Sequence, residues 1–400
     1  MTETRRPPLQ LGAKLRRALG GQAGWSGFAL QVVLVVVFGW IAHEVIDNAR
    51  DNLATQKIAS GFGFLWNTAG FGVSQVLIPY SESDTYFRVL LVGLTNTLVV
   101  SLVGIVCATI LGFVVGLGRL SPNWLLARIA GAYVELIRNL PLLFQILFWY
   151  LAALAALPNP RQSISLMDSV FLSNRGFGMP KPIGTDALMP FVIAIGIALF
   201  LVVALRAIAQ RVLFATGRQI VIWPMVIAAL IGLPVLAVFM FGAPWTLEYP
   251  VLRGFNFSGG MRVVPEFVAL AIALSTYSAA FIAEIVRAGV QSVHKGQTEA
   301  GASLGLKRSE VLRLIVVPQA MRVILPPLTN QYLNLTKNSS LAVAIGYPDL
   351  VSVFAGTALS QTGQAIEIVA ITMAIYLVIS LLTSALMSLY GWRMSRSMGA

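Results

Sequence analysis

The chain has 400 residues, of which 57% are hydrophobic and only 11% are charged, and its mean hydropathy is +0.80. A soluble protein of this size needs roughly a quarter of its residues charged to cover its surface, so a soluble enzyme is excluded and the lipid bilayer must solvate much of the molecule. The net charge of +12 does not indicate a nucleic-acid partner, because the basic residues are scattered at the ends of apolar segments.

Eight apolar segments are long enough, at roughly 20 residues, to cross a bilayer as helices. The first follows a basic segment, but its apolar run is longer than that of a signal peptide and no small-x-small site follows, so we expect an uncleaved anchor. The seventh contains Pro326, Pro327 and the polar residues 336–340. The fold predicted is an all-α integral membrane bundle. Its spans are 27–46, 89–115, 129–157, 188–209, 220–242, 264–289, 323–346 and 366–391.

The distribution of Lys and Arg predicts that both termini are cytoplasmic. With the N-terminus inside, 19 basic residues lie on the inner side and 8 on the outer side, and Lys337 falls within a span. The opposite orientation would invert this bias. The outer segments 47–88 and 158–187 are rich in Gly, Pro and polar residues, and we expect neither to form a folded extracytoplasmic domain.

The longest inner loop, 290–322, differs from the other loops in composition. Thr298 is a suitable N-cap for a short helix, with Glu299 near the positive end of the helix dipole. Residues 300–303 are all small, and Gly305 is placed to end the helix. A helix with so little side-chain bulk lets a partner close tightly around its backbone. The alternative is an ordinary solvated connector.

The order Glu299-Ala300-Gly301, followed by Gly305, Ile315 and Pro318, resembles the EAA loop of ABC importer permeases, whose pattern is E-A-A-x3-G-x9-I-x-L-P. Gly301 stands where Ala is usual and Val317 where Leu is usual. Gly296 and Gln297, before the motif, are similar to the polar amino acid subfamily. The resemblance implies that ATPase coupling is carried by Gly296, Gln297, Glu299, Ala300, Gly301, Gly305, Ile315 and Pro318.

The resemblance covers 89–157 and 264–392, including the segments 93–97 and 133–142. The extra N-terminal span and the two spans inside 158–263 make the layout similar to one permease of the general L-amino acid transporter of Gram-negative bacteria. The implied organisation is an inner segment (1–26), an anchor with a periplasmic segment (27–88), a first core part (89–157), an insertion (158–263), a second core part (264–392) with the coupling loop (290–322), and a tail (393–400).

The resemblance also implies a function and a set of partners. It implies a permease with a type I ABC importer core in the bacterial inner membrane, which moves L-amino acids from periplasm to cytoplasm. The expected partners are an ABC ATPase dimer, a second related permease and a periplasmic amino-acid-binding protein. ATP hydrolysis would belong to the partner ATPase, so this chain is not expected to be an enzyme.

Ionisable residues inside the membrane are costly and indicate functional sites. Lys337, with Asn338 and Ser339, is either a gate or pathway residue or part of a structural ion pair; Pro326 and Pro327 in the same span are further pathway candidates. Two Glu-x-x-Arg pairs lie near inner helix ends, and their i,i+3 spacing predicts ion pairs, with ATPase coupling as the alternative. The pairs are Glu135 with Arg138 and Glu284 with Arg287.

Other chemistry is not indicated by the sequence. Two histidines and the single Cys107 provide no ligand set for a metal, and no G-x-x-x-x-G-K-[ST] motif is present to hold a nucleotide, so no bound cofactor is expected. A secondary transporter driven by an ion gradient is the main alternative. It would more often carry a carboxylate at the membrane midplane. A membrane-embedded enzyme would need a convergent polar cluster that the predicted spans do not show.

Overall fold

The computed structural model describes residues 25–55, 60–167, 169–218, 220–254 and 256–397. The basic N-terminal segment, with Arg5, Arg6, Lys14, Arg16 and Arg17, and also Lys57, lies outside the described residues. The described chain is predominantly helical, with seven helices long and apolar enough to cross a membrane, and one sharply bent helix pair brings the number to eight when it is counted as one span. The all-α membrane architecture predicted from the sequence is therefore confirmed.

The helices occur in the following order along the chain. They are α1 (Trp25–Thr55), α2 (Tyr86–Arg119), α3 (Trp124–Asn139), α4 (Leu142–Leu154), α5 (Leu188–Thr216), α6 (Trp223–Phe241), α7 (Pro265–Gln291), α8 (Lys295–Ser303), α9 (Arg308–Val311), α10 (Val317–Asn338), α11 (Leu359–Thr362) and α12 (Ala365–Ser397). Within the run Arg308–Ile345, π-helical turns (Leu312–Val316) join α9 to α10, and a 3-10 helix (Ser339–Ile345) follows α10.

The predicted third span, 129–157, is not one continuous helix. It breaks between α3 and α4, whose axes meet at 106°. Pro141 causes the break, because proline has no amide donor and disfavours helical geometry at the residue before it; Leu140 is accordingly extended, with φ −97° and ψ 129°. The Gln145 side-chain amide donates to the carbonyls of Ile137 and Leu140, both at 3.0 Å, and so satisfies backbone groups that the break leaves open.

Small residues bring the central helices close together. Gly104, Ala108, Gly112 and Gly116 recur every fourth residue along α2, which places them on one face. A Cβ atom added to Gly112 would lie 2.6 Å from Ile282 of α7. Such small-residue faces let membrane helices pack backbone to backbone. α10 in turn packs Ile324 against Gly289 of α7, so α2, α7 and α10 form the centre of the core.

The outer segments on either side of α5 and α6 form antiparallel sheets. One sheet has the order β1-β2-β3-β8, and two further ladders pair β4 with β5 and β6 with β7. The strands are β1 (Ile164–Leu166), β2 (Val170–Ser173), β3 (Gly176–Met179), β4 (Lys181–Gly184), β5 (Trp245–Glu248), β6 (Val251–Arg253), β7 (Asn256–Ser258) and β8 (Met261–Val263).

The outer segment 158–187, which we did not expect to form a folded extracytoplasmic domain, contains four of these strands, β1 to β4. Its strands β3 and β4 pair with β8 and β5, which follow the two inserted spans some 60 to 85 residues later in the chain. Neither the segment before α5 nor the segment after α6 could form these backbone hydrogen bonds without the other. The helix pair α5–α6 returns the chain to the same side of the membrane, and this return makes the pairing possible.

The first helix is peripheral in this structure. The described apolar side chains of α1 from Leu30 to Ile46 are exposed, as expected for a helix surrounded by lipid. After α1, the chain reaches the outer end of α12, where the Gly61 amide donates to the Glu367 carboxylate at 2.5 Å. Phe64 then packs between Tyr86 and Phe354, which fixes this segment to the core.

Candidate coupling and translocation site

The coupling hairpin, defined here as residues 292–316, begins with α8. Its N-cap is His294, whose Nδ1 accepts a hydrogen bond from the Gly296 amide at 3.1 Å. The prediction that Thr298 caps this helix is wrong. Thr298 lies one turn inside α8, where its hydroxyl donates to the Lys295 carbonyl at 2.6 Å. Glu299 accordingly lies in the middle of α8, exposed, and outside the first turn.

Gly305 ends α8 as predicted. It adopts a φ of +77°, in the left-handed region where side chains are strained. The Gly305 amide donates to the Ala302 carbonyl at 2.9 Å, and the Leu306 amide donates to the Gly301 carbonyl at 3.3 Å. These two bonds are those of a Schellman motif, which satisfies carbonyls left open at a helix C-terminus. The chain can therefore turn back sharply into α9.

Gly301 faces the inside of the hairpin. A Cβ atom at this position would lie 2.8 Å from the Cδ1 of Ile315 and 3.0 Å from Val311. The missing side chain thus lets α8 pack onto the segment that follows it. The exposed side chains of the hairpin include Glu299, Ala300 and, at its tip, Leu304, which is 81% exposed.

The hairpin is joined to the start of α10. The Gln319 side chain donates to the Gln297 oxygen at 3.3 Å, linking α8 to the first turn of α10, where Pro318 also lies. At the start of α9, the Glu310 carboxylate accepts from the Lys307 amide at 2.8 Å. Seven of the eight predicted coupling residues therefore lie on the hairpin, and Pro318 lies directly after it.

The predicted pathway residues divide between two faces of α10. Lys337, Pro326 and Pro327 are exposed, whereas Ser339 is buried and donates to the Thr336 carbonyl at 2.7 Å. Asn338 is half-buried. The alternative of a structural ion pair finds no support within the described part of the chain, where none of the ion pairs includes Lys337.

Two residues on the exposed face of α10 were missed by the sequence reasoning. Asn330 and Asn334 are exposed and continue the line from Pro327 to Lys337 at steps of three or four residues, which is the spacing of one helix face. The signal available in the sequence was this spacing of polar residues inside an apolar span. Together, Pro326, Pro327, Asn330, Asn334 and Lys337 form what we call the α10 polar face.

The two Glu-x-x-Arg pairs differ in the structure. Glu284 of α7 bonds to Arg287 on the next turn and also to Arg119, the last residue of α2. Sequence spacing could not reveal Arg119, because it lies 165 residues away. The predicted Glu135–Arg138 pair does not form: Arg138 lies 5.0 Å above the ring of Phe281, and Glu135 is exposed. The guanidinium of Arg138 thus makes a cation–π contact with Phe281 of α7 in place of an ion pair with the Glu135 carboxylate.

The geometry combines a rigid exposed hairpin with a polar face on the helix that the hairpin continues into. Among the described residues, no group of three His, Cys, Asp or Glu side chains is arranged to hold a metal ion. The arrangement is an exposed hairpin that leads directly into a membrane helix with polar residues on one face.

Comparisons with known proteins agree with this description. Residues 104–396 match the family described as "Binding-protein-dependent transport system inner membrane component". The chain is 52% identical over 372 residues to the putative amino-acid ABC transporter permease protein YhdX of Escherichia coli strain K12, covering 93% of this chain and 94% of that protein.

Two further relatives are similar over nearly their whole length. The general L-amino acid transport system permease protein AapQ of Rhizobium johnstonii is 50% identical over 365 residues, covering 91% of this chain and 90% of that protein. The glutamate/glutamine/aspartate/asparagine transport system permease protein BztB of Rhodobacter capsulatus is 41% identical over 398 residues, covering 92% of this chain and 93% of that protein.

Proposed function

The chain belongs to the family of binding-protein-dependent transport system inner membrane components, and from this we propose that it is the permease subunit of an ATP-driven importer of L-amino acids. The relatives that match it over at least 90% of both chains are named as permeases of amino-acid transport systems. The chain is a multi-pass inner membrane protein and a transport component. The ion-gradient alternative gains no support from any of these relatives.

The proposal includes the partners that such a subunit needs. An ABC ATPase dimer would bind the coupling hairpin and hydrolyse ATP, since this chain lacks a phosphate-binding loop. A second, related permease would complete the pathway, and a periplasmic binding protein would deliver the amino acid. The bias of Lys and Arg supports a cytoplasmic location for the hairpin and for both termini. No cofactor is proposed for this chain.

The observation that carries the proposal is the way in which the hairpin is built into the bundle. Gly301 packs against Ile315 in the segment before α10, and Gln297 bonds to Gln319 in the first turn of α10, so α8 is attached to α10 at two places. When nucleotide binding draws the two ATPase subunits together, the hairpin transmits that displacement to α10. Transport then follows from rocking of α10 and its neighbours between inward-open and outward-open states.

The α10 polar face is the proposed contribution of this subunit to the pathway. Exposed Asn330, Asn334 and Lys337 on a membrane helix would be costly in contact with lipid, so a polar pathway or the partner permease has to cover them. Lys337 carries the positive charge that attracts a substrate carboxylate. The exposed prolines mark where α10 has fewer internal hydrogen bonds and can bend.

The test is co-purification of the complex from mildly solubilised membranes, with a Leu304→Asp variant beside wild type. An exposed leucine at the tip of the hairpin fits an apolar pocket, and a carboxylate there should lower recovery of the ATPase about tenfold or more. The matched control is Leu252→Asp, since Leu252 is also exposed but lies on β6 at the opposite side of the bundle.

Each result has a definite meaning. Recovery of the ATPase with wild type and Leu252→Asp, but not with Leu304→Asp, supports the docking role of the hairpin. If the wild-type chain comes down without any nucleotide-hydrolysing subunit, or if Leu304→Asp retains the ATPase in full, the proposed coupling is wrong.

A further inference from the structure

A polar cavity of about 410 Å³ lies beside the coupling hairpin, where α2 and α7 end and α3 begins. Three arginines, one from each of these helices, line it. The small side chains of α3 leave the space open, and a Cβ atom added to Gly131 would meet nothing within 4 Å. The full lining is Arg119, Ala127, Arg128, Gly131, Ala132, Glu135, Arg287 and Gln291.

The cavity has an excess of positive charge. Arg119 and Arg287 share the single carboxylate of Glu284, and Arg138 is close enough to act on the same carboxylate. Arg128 is exposed and takes part in none of the ion pairs among the described residues. The cavity lining holds three arginines and one glutamate, and with the neighbouring Arg138 and Glu284 the count is four arginines and two glutamates. A ligand that neutralises this excess must be an anion with several acceptor oxygens.

The surface next to the cavity is strongly apolar. Along α3, Trp124 is 75% exposed and Ile129 is 60% exposed, and Leu125 and Leu136 are exposed as well. Tryptophan at a helix end is typical of the membrane boundary, and exposed leucine and isoleucine are suited to acyl chains. One ligand therefore has to satisfy both a basic pocket and an adjoining apolar strip.

We propose that this cavity binds the phosphate of an anionic phospholipid, with Arg128, Arg119 and Arg287 around the headgroup and the acyl chains along the exposed face of α3. Basic pockets between membrane helices on the cytoplasmic side are suited to such headgroups. A free amino acid would cover the arginines but leave the apolar strip unpartnered. The cavity is also separate from the α10 polar face, where the substrate is proposed to pass.

The position of the site suggests what the lipid does. Arg287 donates to the Gln291 side chain at 2.6 Å, and α8 begins only four residues after Gln291. A phosphate that holds Arg287 would therefore fix the end of α7 from which the coupling hairpin extends. The inference goes beyond the proposed function, and the lipid would favour ATPase coupling without taking part in transport.

The experiment measures lipid retention by native mass spectrometry on the intact complex purified with its partner subunits. The probes are dioleoylphosphatidylglycerol and, as the zwitterionic reference, dioleoylphosphatidylcholine. Arg128→Gln removes the unpaired charge and should lower phosphatidylglycerol retention about fivefold, the factor expected for one basic residue near an anionic lipid. Gly131→Leu should lower it as well, because the side chain fills the cavity while every arginine stays in place.

The matched control is Arg211→Gln on α5, which removes an exposed arginine from the same predicted side of the membrane and should retain the lipid like wild type. Thermal unfolding of each variant verifies that the complex is intact, and either cavity variant alone decides the question if the other fails to assemble. Equal retention in wild type, Arg128→Gln and Gly131→Leu would overturn the proposal.

Two further arms distinguish other sources of the anion. If soluble glycerol 3-phosphate displaces phosphatidylglycerol at equal concentration, the cavity takes free phosphate esters and the lipid assignment is wrong. If Arg128→Gln retains the lipid but loses binding of L-glutamate, the cavity belongs to the transported substrate instead. Selective retention of phosphatidylglycerol with no effect of either solute supports the lipid site.

Discussion

Lys337 lies on the exposed face of α10 with Asn330 and Asn334 beside it. A lysine in this position is stable only if water, substrate or the second permease is in contact with it, because lipid would not solvate the charge. A structural ion pair within the chain would give a different result on mutation, because removing one partner of a buried pair leaves the other charge unpaired and lowers the stability by about 3–5 kcal/mol. The two roles therefore predict opposite phenotypes.

We predict that Lys337→Met leaves the thermal stability of the complex unchanged but lowers uptake of a mixture of L-amino acids into reconstituted vesicles about tenfold, the loss expected for one charge-assisted hydrogen bond. Lys181→Met is the control, since Lys181 is exposed on β4. A clear fall in melting temperature with normal uptake per folded molecule would instead assign Lys337 to a structural role.

At the scale of elements, sequence patterns predicted the spans and the presence of the coupling hairpin, because both depend on local composition. Gly305 could be predicted to end α8, since the left-handed conformation at a helix end selects glycine. Thr298 could not be excluded as the cap, because Thr is a common N-cap residue, and the cap observed is the imidazole of His294, a residue type seldom considered for this role. The paired strands and the Arg119–Glu284 contact depend on residues far apart in the chain.

The packing of α8 inside the hairpin gives a prediction at the same scale. Gly301→Val should place two methyl groups where Ile315 and Val311 already lie, and overpacking of this kind costs about 1–3 kcal/mol. We expect faster amide hydrogen exchange in residues 295–311 and weaker stimulation of ATP hydrolysis by the binding protein. The double variant Gly301→Ala with Ile315→Val is the matched test, because shortening Ile315 removes the Cδ1 atom that the new Cβ would meet.

That double variant should recover protection relative to Gly301→Ala alone. Unchanged exchange in Gly301→Val would show that α8 does not pack on the segment after it. Normal exchange combined with loss of the ATPase would instead indicate that the partner approaches the backbone at Gly301.

At the scale of the whole molecule, the chain divides into a core and additions around it. The core comprises α2, α3, α4, α7, α10 and α12 with the coupling hairpin, whereas α5 and α6 pack chiefly on one another. The ends of the inserted helices are joined by the separate β4–β5 ladder, and beside it the Thr185 amide donates to the Pro244 carbonyl at 3.1 Å. The inserted helices thus enter and leave the molecule at one point.

This arrangement predicts that the two inserted spans, α5 and α6, can be removed without losing the coupling function. Replacing residues 186–243 by Asn-Gly joins Thr185 to Pro244 across a two-residue hairpin turn, and the neighbouring ladder already holds these ends in register. Removing two spans together leaves every remaining helix with its original orientation. We therefore expect the shortened chain to insert, to melt as a folded complex and to recover the ATPase as wild type does.

The informative control is removal of α5 alone, residues 188–216, which should reverse the orientation of everything after it and abolish ATPase recovery. If the two-helix deletion also fails to insert or to bind the ATPase, α5 and α6 are part of the assembly of the core. If it binds the ATPase but no longer responds to the binding protein or loses the second permease, the insertion has a role in the outer docking surface or in choosing the partner.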